Sequence, residues 1–478
     1  AARIAARVDD GTMPPAGGLT DEERRLLADW ANCGTPGGPT TPVPADPCAV
    51  EIPFDGDVTD ATAVCPGFNV VTGSIVTAAD HDLSCLCRVD GDLTIASDAV
   101  TAVSAPLLAS IGGDLQISGA AIATVSLPAV TTIGGGVRLT ELPALTLLSV
   151  DRIDAIGGDY VLAHAPALTE WRGAQSPRSV GGSVVLDDLD GLSWIEAFGR
   201  VESLGGGITI TGNDGALQVF GFQKLLEVPG PVLIADNDGA ALIETLVDAT
   251  SIPSGLTITD HRSLVEISGF VFLADAGPIA ITRNKLLTRV PRFDGLVSTD
   301  GVTVVENPSL ARIDAWFPLV TTLGPGGFVV TDNDALGGAS AFATLTTTAG
   351  PVVFRDNPAL TAILGFDKLD QLADLVLTGN PALGSATLPK LQQATGSVTL
   401  ADAAFTAIPG LPKLHQIGQD LVLRDNPALA DVTGLYAVRG VTGTLVVRGN
   451  PSLPAAAADA LAATIDEVGA TDIGDNGP

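Results

Sequence analysis

A chain of 478 residues with a formal net charge of −31 offers no basic face, which excludes nucleic acid and anionic membrane surfaces as expected partners. Apolar residues at 46% can fill a long core, whereas aromatics at 4% suit a narrow interior lined by Leu, Ile and Val. No apolar run reaches the roughly eighteen residues that a membrane span requires, so no span is expected.

The chain opens Ala1-Ala2-Arg3-Ile4, with no initiator Met or signal peptide, and reads as a mature or truncated piece. Residues 1–34 read as helical. Ile4 and Val8 lie four apart, Gly11-Thr12-Met13-Pro14-Pro15 interrupts, and Thr20 with Glu23 forms a T-x-x-E capping box for a second helix. Leu26, Leu27 and Trp30 give that helix an apolar stripe, and Gly34 is placed to close it. The stretch resembles the C-terminal part of class I c-type cytochromes, in which a Met ahead of prolines is an axial haem ligand. That resemblance implies Met13 as the ligand and haem c as the cofactor of a longer parent protein. Covalent attachment needs C-x-x-C-H, and Cys85-Leu86-Cys87-Arg88 does not supply it, so no cofactor is expected in this chain. The other reading of residues 1–34 is a small helical hairpin.

Residues 35–47 are too rich in Pro and Gly for regular structure and read as a semi-rigid spacer. Residues 48–90 carry Cys48, Cys65, Cys85 and Cys87 and read as an N-terminal cap, with Val71 to Val76 as a partial first rung. The clustered cysteines suggest disulfides formed in an oxidising compartment, with one of the five cysteines left over. A secreted, periplasmic or outer-surface setting, in a bacterium, is therefore expected.

From residue 91 to 453 one unit repeats. Its strand-leading position recurs at 92, 114, 136, 159, 183, 207, 231, 255, 278, 301, 327, 351, 374, 397, 420 and 444. Spacings of 22 to 26 residues are the signature of a solenoid that grows by stacking. Each strand carries two inward apolar residues, as in Leu93/Ile95, Ile208/Ile210 and Leu421/Leu423. Five residues after the first of them stands Asn213, Asn237, Asn284, Asn307, Asn333, Asn357, Asn380, Asn426 or Asn450, with His261 once in the same slot. Stacked Asn side chains can satisfy turn backbone groups and bond along the column. Asp98, Ala120 and Leu142 fill the slot in the early rungs, which predicts a less regular end. Most rungs lack a second amphipathic turn, which favours a flattened β-helix over a helix-backed horseshoe. Residues 454–478 read as a capping helix, Ala455 to Ile465, followed by a loose tail.

The repeat, roughly G-x-L-x-I-x-x-N-P-x-L over residues 65–453, resembles the receptor L-domain family of the leucine-rich-repeat group. The resemblance implies a right-handed β-helix; with the units counted above, the expected fold is mainly β, a right-handed parallel β-helix or leucine-rich-repeat-like solenoid of about 16 rungs with the short N-terminal helical segment and the C-terminal capping helix. The resemblance also implies binding of a protein on a cell surface, without fixing which.

Enzymatic chemistry on a β-helix needs converging carboxylates or an activated base. His81, His164, His261 and His415 lie in different rungs, with no evident Asp or Ser partner in register, so no catalytic residue is expected. An acidic column precedes the Asn ladder, and Glu306, Asp332 and Asp356 would stack at about 4.8 Å intervals, a possible Ca²⁺ site or simply solvated turns. The outward strand positions are nearly uncharged from Thr209 and Thr211 through Leu233, Thr257, Thr259, Thr282, Thr303 and Val305 to Val329 and Thr331. Large neutral faces mark contact sites. The expected function is thus a non-enzymatic interaction module binding a protein or glycan, or self-associating, through this face. The alternative is a docking or spacer part of an electron-transfer protein with its haem portion upstream. A polysaccharide-active β-helix enzyme ranks below both.

Overall fold

Alternation of apolar and small polar residues builds the first sheet, and every one of the sixteen expected strands forms. Leu93 pairs with Leu115, Leu115 with Val137 and Val137 with Tyr160, all in parallel. The same column continues through Val184, Ile208, Val232, Leu256, Ile279, Val302 and Phe328 to Val352, Leu375, Val398, Leu421 and Leu445. The result is a mainly-β parallel solenoid of about 16 turns. The computed structural model describes residues 47–60, 63–408 and 410–478. The expected N-terminal helices, Met13, Trp30 and all but the last residue of the spacer lie outside the described residues.

Two further faces complete each rung. Ala102–Ser104, Thr124–Ser126, Leu147–Ser149 and Glu170–Arg172 stack on the second face. Later sheets there run from Ile195–Ala197 to Glu266–Ile267 and from Arg312–Phe317 to Ser385–Ala386. The third face is made of two-residue strands such as Ser110–Ile111, Thr132–Ile133 and Ala155–Ile156. Strands, not helices, therefore back the first sheet. Among the described residues no helix is long and apolar enough to cross a membrane.

Each corner is held by a different device. Between the first and second faces, the Asn213 N–H donates to Oδ1 of Asn237 at 3.1 Å, and Asn333 does the same to Asn357 at 3.1 Å. Each Nδ2 donates in turn to a carbonyl of the preceding strand, as from Asn237 to Ile210 at 3.0 Å. The ladder lacks its amide at Ala403, where Phe405 is buried instead. Between the third and first faces a second ladder runs with the opposite polarity. There the later rung's N–H donates to the earlier rung's side chain: Asp114 to Asp92, Gly136 to Asp114 and Ser183 to Asp159, each at 2.7 Å. The early rungs are therefore as well registered as the later ones, because this ladder serves where Asn is missing. Gly112, Gly134, Gly157, Gly181 and Gly205 line the same corner, and a Cβ on any of them would fall 1.9–2.1 Å from a carbonyl oxygen of the rung before.

The interior holds a column of its own at the corner between the second and third faces. Phe198, Phe222, Leu246, Phe270, Phe293, Phe317, Phe342 and Phe366 follow one another rung by rung, all buried. Neighbouring rings stack, with centroids 5.3 Å apart for Phe198–Phe222, Phe293–Phe317 and Phe317–Phe342. Phe198, Phe222, Leu246 and Phe270 have φ between 52° and 64°, uncommon for bulky residues. Burial of the ring, roughly 1.5–3 kcal/mol, offsets the strain, roughly 1–3 kcal/mol.

The C-terminal end differs from expectation in detail. The helix Ala455–Thr464 stands in for a second-face strand, burying Ala458 and Leu461. The chain then returns to the first sheet as Glu467–Gly474, paired along Gly440–Arg448. The residues read as a loose tail instead hold the next rung: Asn476 Oδ1 accepts from Asn450 N at 3.3 Å, and Nδ2 donates to Val447 at 2.8 Å. At the other end Cys65 is bonded to Cys85. Closing a loop across a sequence separation of 20 residues is worth about 3 kcal/mol of chain entropy.

Candidate functional site: the first sheet face and its acidic corner

The proposed face residues come together in two straight columns. Thr209, Leu233, Thr257, Ala280, Thr303 and Val329 are successive register partners, and so are Thr211, Ala235, Thr259, Thr282, Val305 and Thr331. Period-2 alternation sets this, because the residues between them (Ile210, Ile234, Ile258, Ile281, Val304, Val330) are buried in the core. All of the outward residues are half-buried except Thr259, which is only 7% exposed. Thr259 is therefore not the solvent-facing position expected. Its Oγ1 donates to Asp260 Oδ2 at 2.9 Å and lies 2.7 Å from Thr282 Oγ1. Beyond Val353 the same face carries Arg355, Arg424 and Arg448, of which Arg424 pairs with Asp425 at 3.1 Å, and Arg448 with Asp472 at 2.8 Å and Asp475 at 2.6 Å.

The acidic column on the adjoining corner has a backbone cause. Glu141, His164, Asp188, Gly212, Asp236, Asp260, Arg283, Glu306, Asp332, Asp356, Gly379, Asp402, Asp425, Gly449 and Asp475 all have φ between 50° and 67°. Left-handed backbone favours Gly, Asn and Asp, so Asp here serves the turn first. Beyond that slot, Asp214 N–H donates to Asp190 at 2.7 Å and Asp238 N–H to Asp214 at 3.0 Å. Carboxylates thus cap the backbone of the next rung, and much of the chain's acidity is spent on turns.

Glu306, Asp332 and Asp356 contribute one carboxylate per rung, and among the described residues no group of three or more acidic, His or Cys side chains is placed to hold a metal ion. Burial, then the nearby Asp356, Glu306 and Asp334 carboxylates, push the Asp332 carboxyl above its ordinary range. Beside this stack lies an open groove of about 800 Å³ lined by Asp236, Asp260, Arg262, Arg283, Lys285, Glu306, Pro308, Asp332 and Asp334. Arg283 spans Asp260 with two hydrogen bonds of 2.5 and 2.7 Å, and these hold Asp260 below the usual carboxylate range.

The reading that no histidine has an acidic partner is also overturned. His164 Nδ1 lies 2.7 Å from Glu141 and Nε2 lies 3.5 Å from Asp187, while Thr211 Oγ1 donates to Asp187 at 2.5 Å. The hydrogen bond to Glu141 raises the imidazole's pKa above its ordinary value. Both ring nitrogens face carboxylates, an arrangement that favours the protonated ring. The partners stand 23 residues away on either side, so rung alignment could have found them. The Phe column was equally available as a recurrence near every 24 residues. No protein-family model matches this chain, and no curated protein matches it.

Proposed function

We propose that the solenoid is a non-enzymatic interaction module that docks a protein through its first face. The observation that carries this reading is the pair of flat, register-locked columns from Thr209 to Thr331, neutral on a chain of net charge −31. No aromatic side chain stands in these columns for a sugar ring to stack on, which favours protein over glycan. The charge of −31 on every copy disfavours self-association. Asp188, Asp236, Glu306, Asp332 and Asp356 border the face without a salt-bridge partner among the described residues. A partner with Lys and Arg at its rim would complement them, and its binding would weaken as salt rises. The disulfides fit an extracytoplasmic setting.

The test places a photo-crosslinking residue at Thr209, Thr257 or Thr303 in the native host, with Thr132 and Ser179 on the third face as controls. Adducts to one protein from the first-face sites alone are expected, and the combined Thr209→Lys, Thr257→Lys and Thr303→Lys variant should abolish them. Equal yields from both faces, or adducts that survive the three lysines, would show the face to be structural only.

A further inference from the structure

We propose that His261 is an acid-sensitive latch in the asparagine ladder, whose protonation loosens the array at its own rung and reshapes the charged groove beside it. His261 is fully buried and occupies an asparagine slot. Its ring reproduces both amide functions. Nδ1 stands 3.1 Å from the Asn237 N–H, where other rungs place an Asn Oδ1, and Nε2 stands 3.2 Å from the Ile234 carbonyl, where others place Nδ2. These contacts assign the neutral tautomer with hydrogen on Nε2, accepting at Nδ1. The ladder continues beyond it, because the His261 N–H points to Asn284 Oδ1 at 3.4 Å.

An amide does not titrate in the physiological range and an imidazole does. Once Nδ1 carries a proton it can turn only to the Asn237 carbonyl at 3.3 Å, and the Asn237 N–H loses its acceptor inside the wall. A cation is also placed where water cannot reach it. Asp236, Asp238 and Asp260 favour that cation and Arg262 and Arg283 oppose it. Burial outweighs the carboxylates and holds the ring's pKa below its ordinary value. The sign follows: the unfolded chain takes up this proton near pH 6.5 and the folded chain only at lower pH. The stability contributed by neutral His261 is complete above about pH 6.5. It is lost as pH falls from there toward the lowered folded value. Asp260 and Arg262, the chain neighbours of His261, both line the groove, so loosening this rung moves the groove wall.

The experiment is hydrogen–deuterium exchange on the full chain at about pH 7.5 and about pH 5, corrected for intrinsic rates, on wild type, His261→Asn and His164→Asn. In wild type the segment 232–262 should lose about tenfold in protection at the lower pH, the size of one buried hydrogen bond. His261→Asn gives an unbroken amide run from Asn213 to Asn380 and should abolish that loss, whereas His164→Asn should keep it. An unchanged acid response in His261→Asn overturns the proposal, as does a response lost in His164→Asn. If His261→Asn fails to fold, NMR of the wild-type ring decides. A lowered pKa with the Asn237 amide exchanging in step supports the latch, and an ordinary pKa or an unresponsive amide overturns it.

Discussion

Replacing Phe317 with alanine is expected to destabilise the solenoid by about 3–5 kcal/mol. The ring is fully buried and stacks between Phe293 and Phe342, each 5.3 Å away, with Phe328 edge-on at 6.5 Å. The cost should sit at the high end of its class because the site cannot collapse. Strands on neighbouring faces keep adjacent rungs at fixed spacing, so an emptied position stays empty. Phe272, 59% exposed on the outside of the same array, is the control, and its alanine variant should stay within about 0.5 kcal/mol of wild type. Denaturant melts followed by tryptophan fluorescence measure both. Because a repeat array need not unfold in one step, exchange protection of residues 312–317 and 338–342 should be read as well. A loss below about 1 kcal/mol in the Phe317 variant would mean that the column is loosely packed and contributes little.

Asn357→Leu should cost about 3 kcal/mol or more, since it strands several groups at once, each worth about 1–3 kcal/mol when buried without a partner. Its Oδ1 accepts from Asn333 N at 3.1 Å and from Asn333 Nδ2 at 3.2 Å. Its Nδ2 donates to the carbonyls of Val330 at 3.1 Å and Arg355 at 2.8 Å. Leucine fills similar volume and serves none of these atoms. Thr303→Val, on the half-exposed first face, removes a hydroxyl that water can satisfy and should be close to neutral. Equal melting temperatures for Asn357→Leu and Thr303→Val would count against the ladder as a source of stability.

The first sheet was legible because its signal is local. Two apolar residues two positions apart, a turn and an Asn recur within ten positions, and the strands stand where that pattern placed them. The asparagine column was legible for the same reason. The partners of His164 were not, because Glu141 and Asp187 are remote in the chain and adjacent only once rungs are stacked. The backbone cause of the acidic corner was hidden for a different reason. An Asp chosen for left-handed backbone and an Asp chosen for solvation look alike in composition, and Asp332 or Asp356 shows its turn role only when its φ is known. The last rung was missed because the helix at Ala455–Thr464 breaks the repeat before Asn476 resumes it. The two outward columns were correctly ordered by alternation alone, yet Thr259 is covered by contacts with Asp260 and Thr282 that alternation cannot foresee.

The opposed directions of the two corner ladders bear on how such a molecule can change length. Asn side chains receive the N–H of the rung before, whereas the Asp and Ser side chains of the other corner receive the N–H of the rung after. Wherever a corner carries its ladder, a rung therefore has a plug on one side and a socket on the other. A tandem copy of one unit, 22 to 26 residues long, would meet on each side the same chemistry that its parent met. Unequal recombination within the gene could then add or remove whole rungs without any compensating substitution, while an insertion of any other length would put every later plug out of line with its socket.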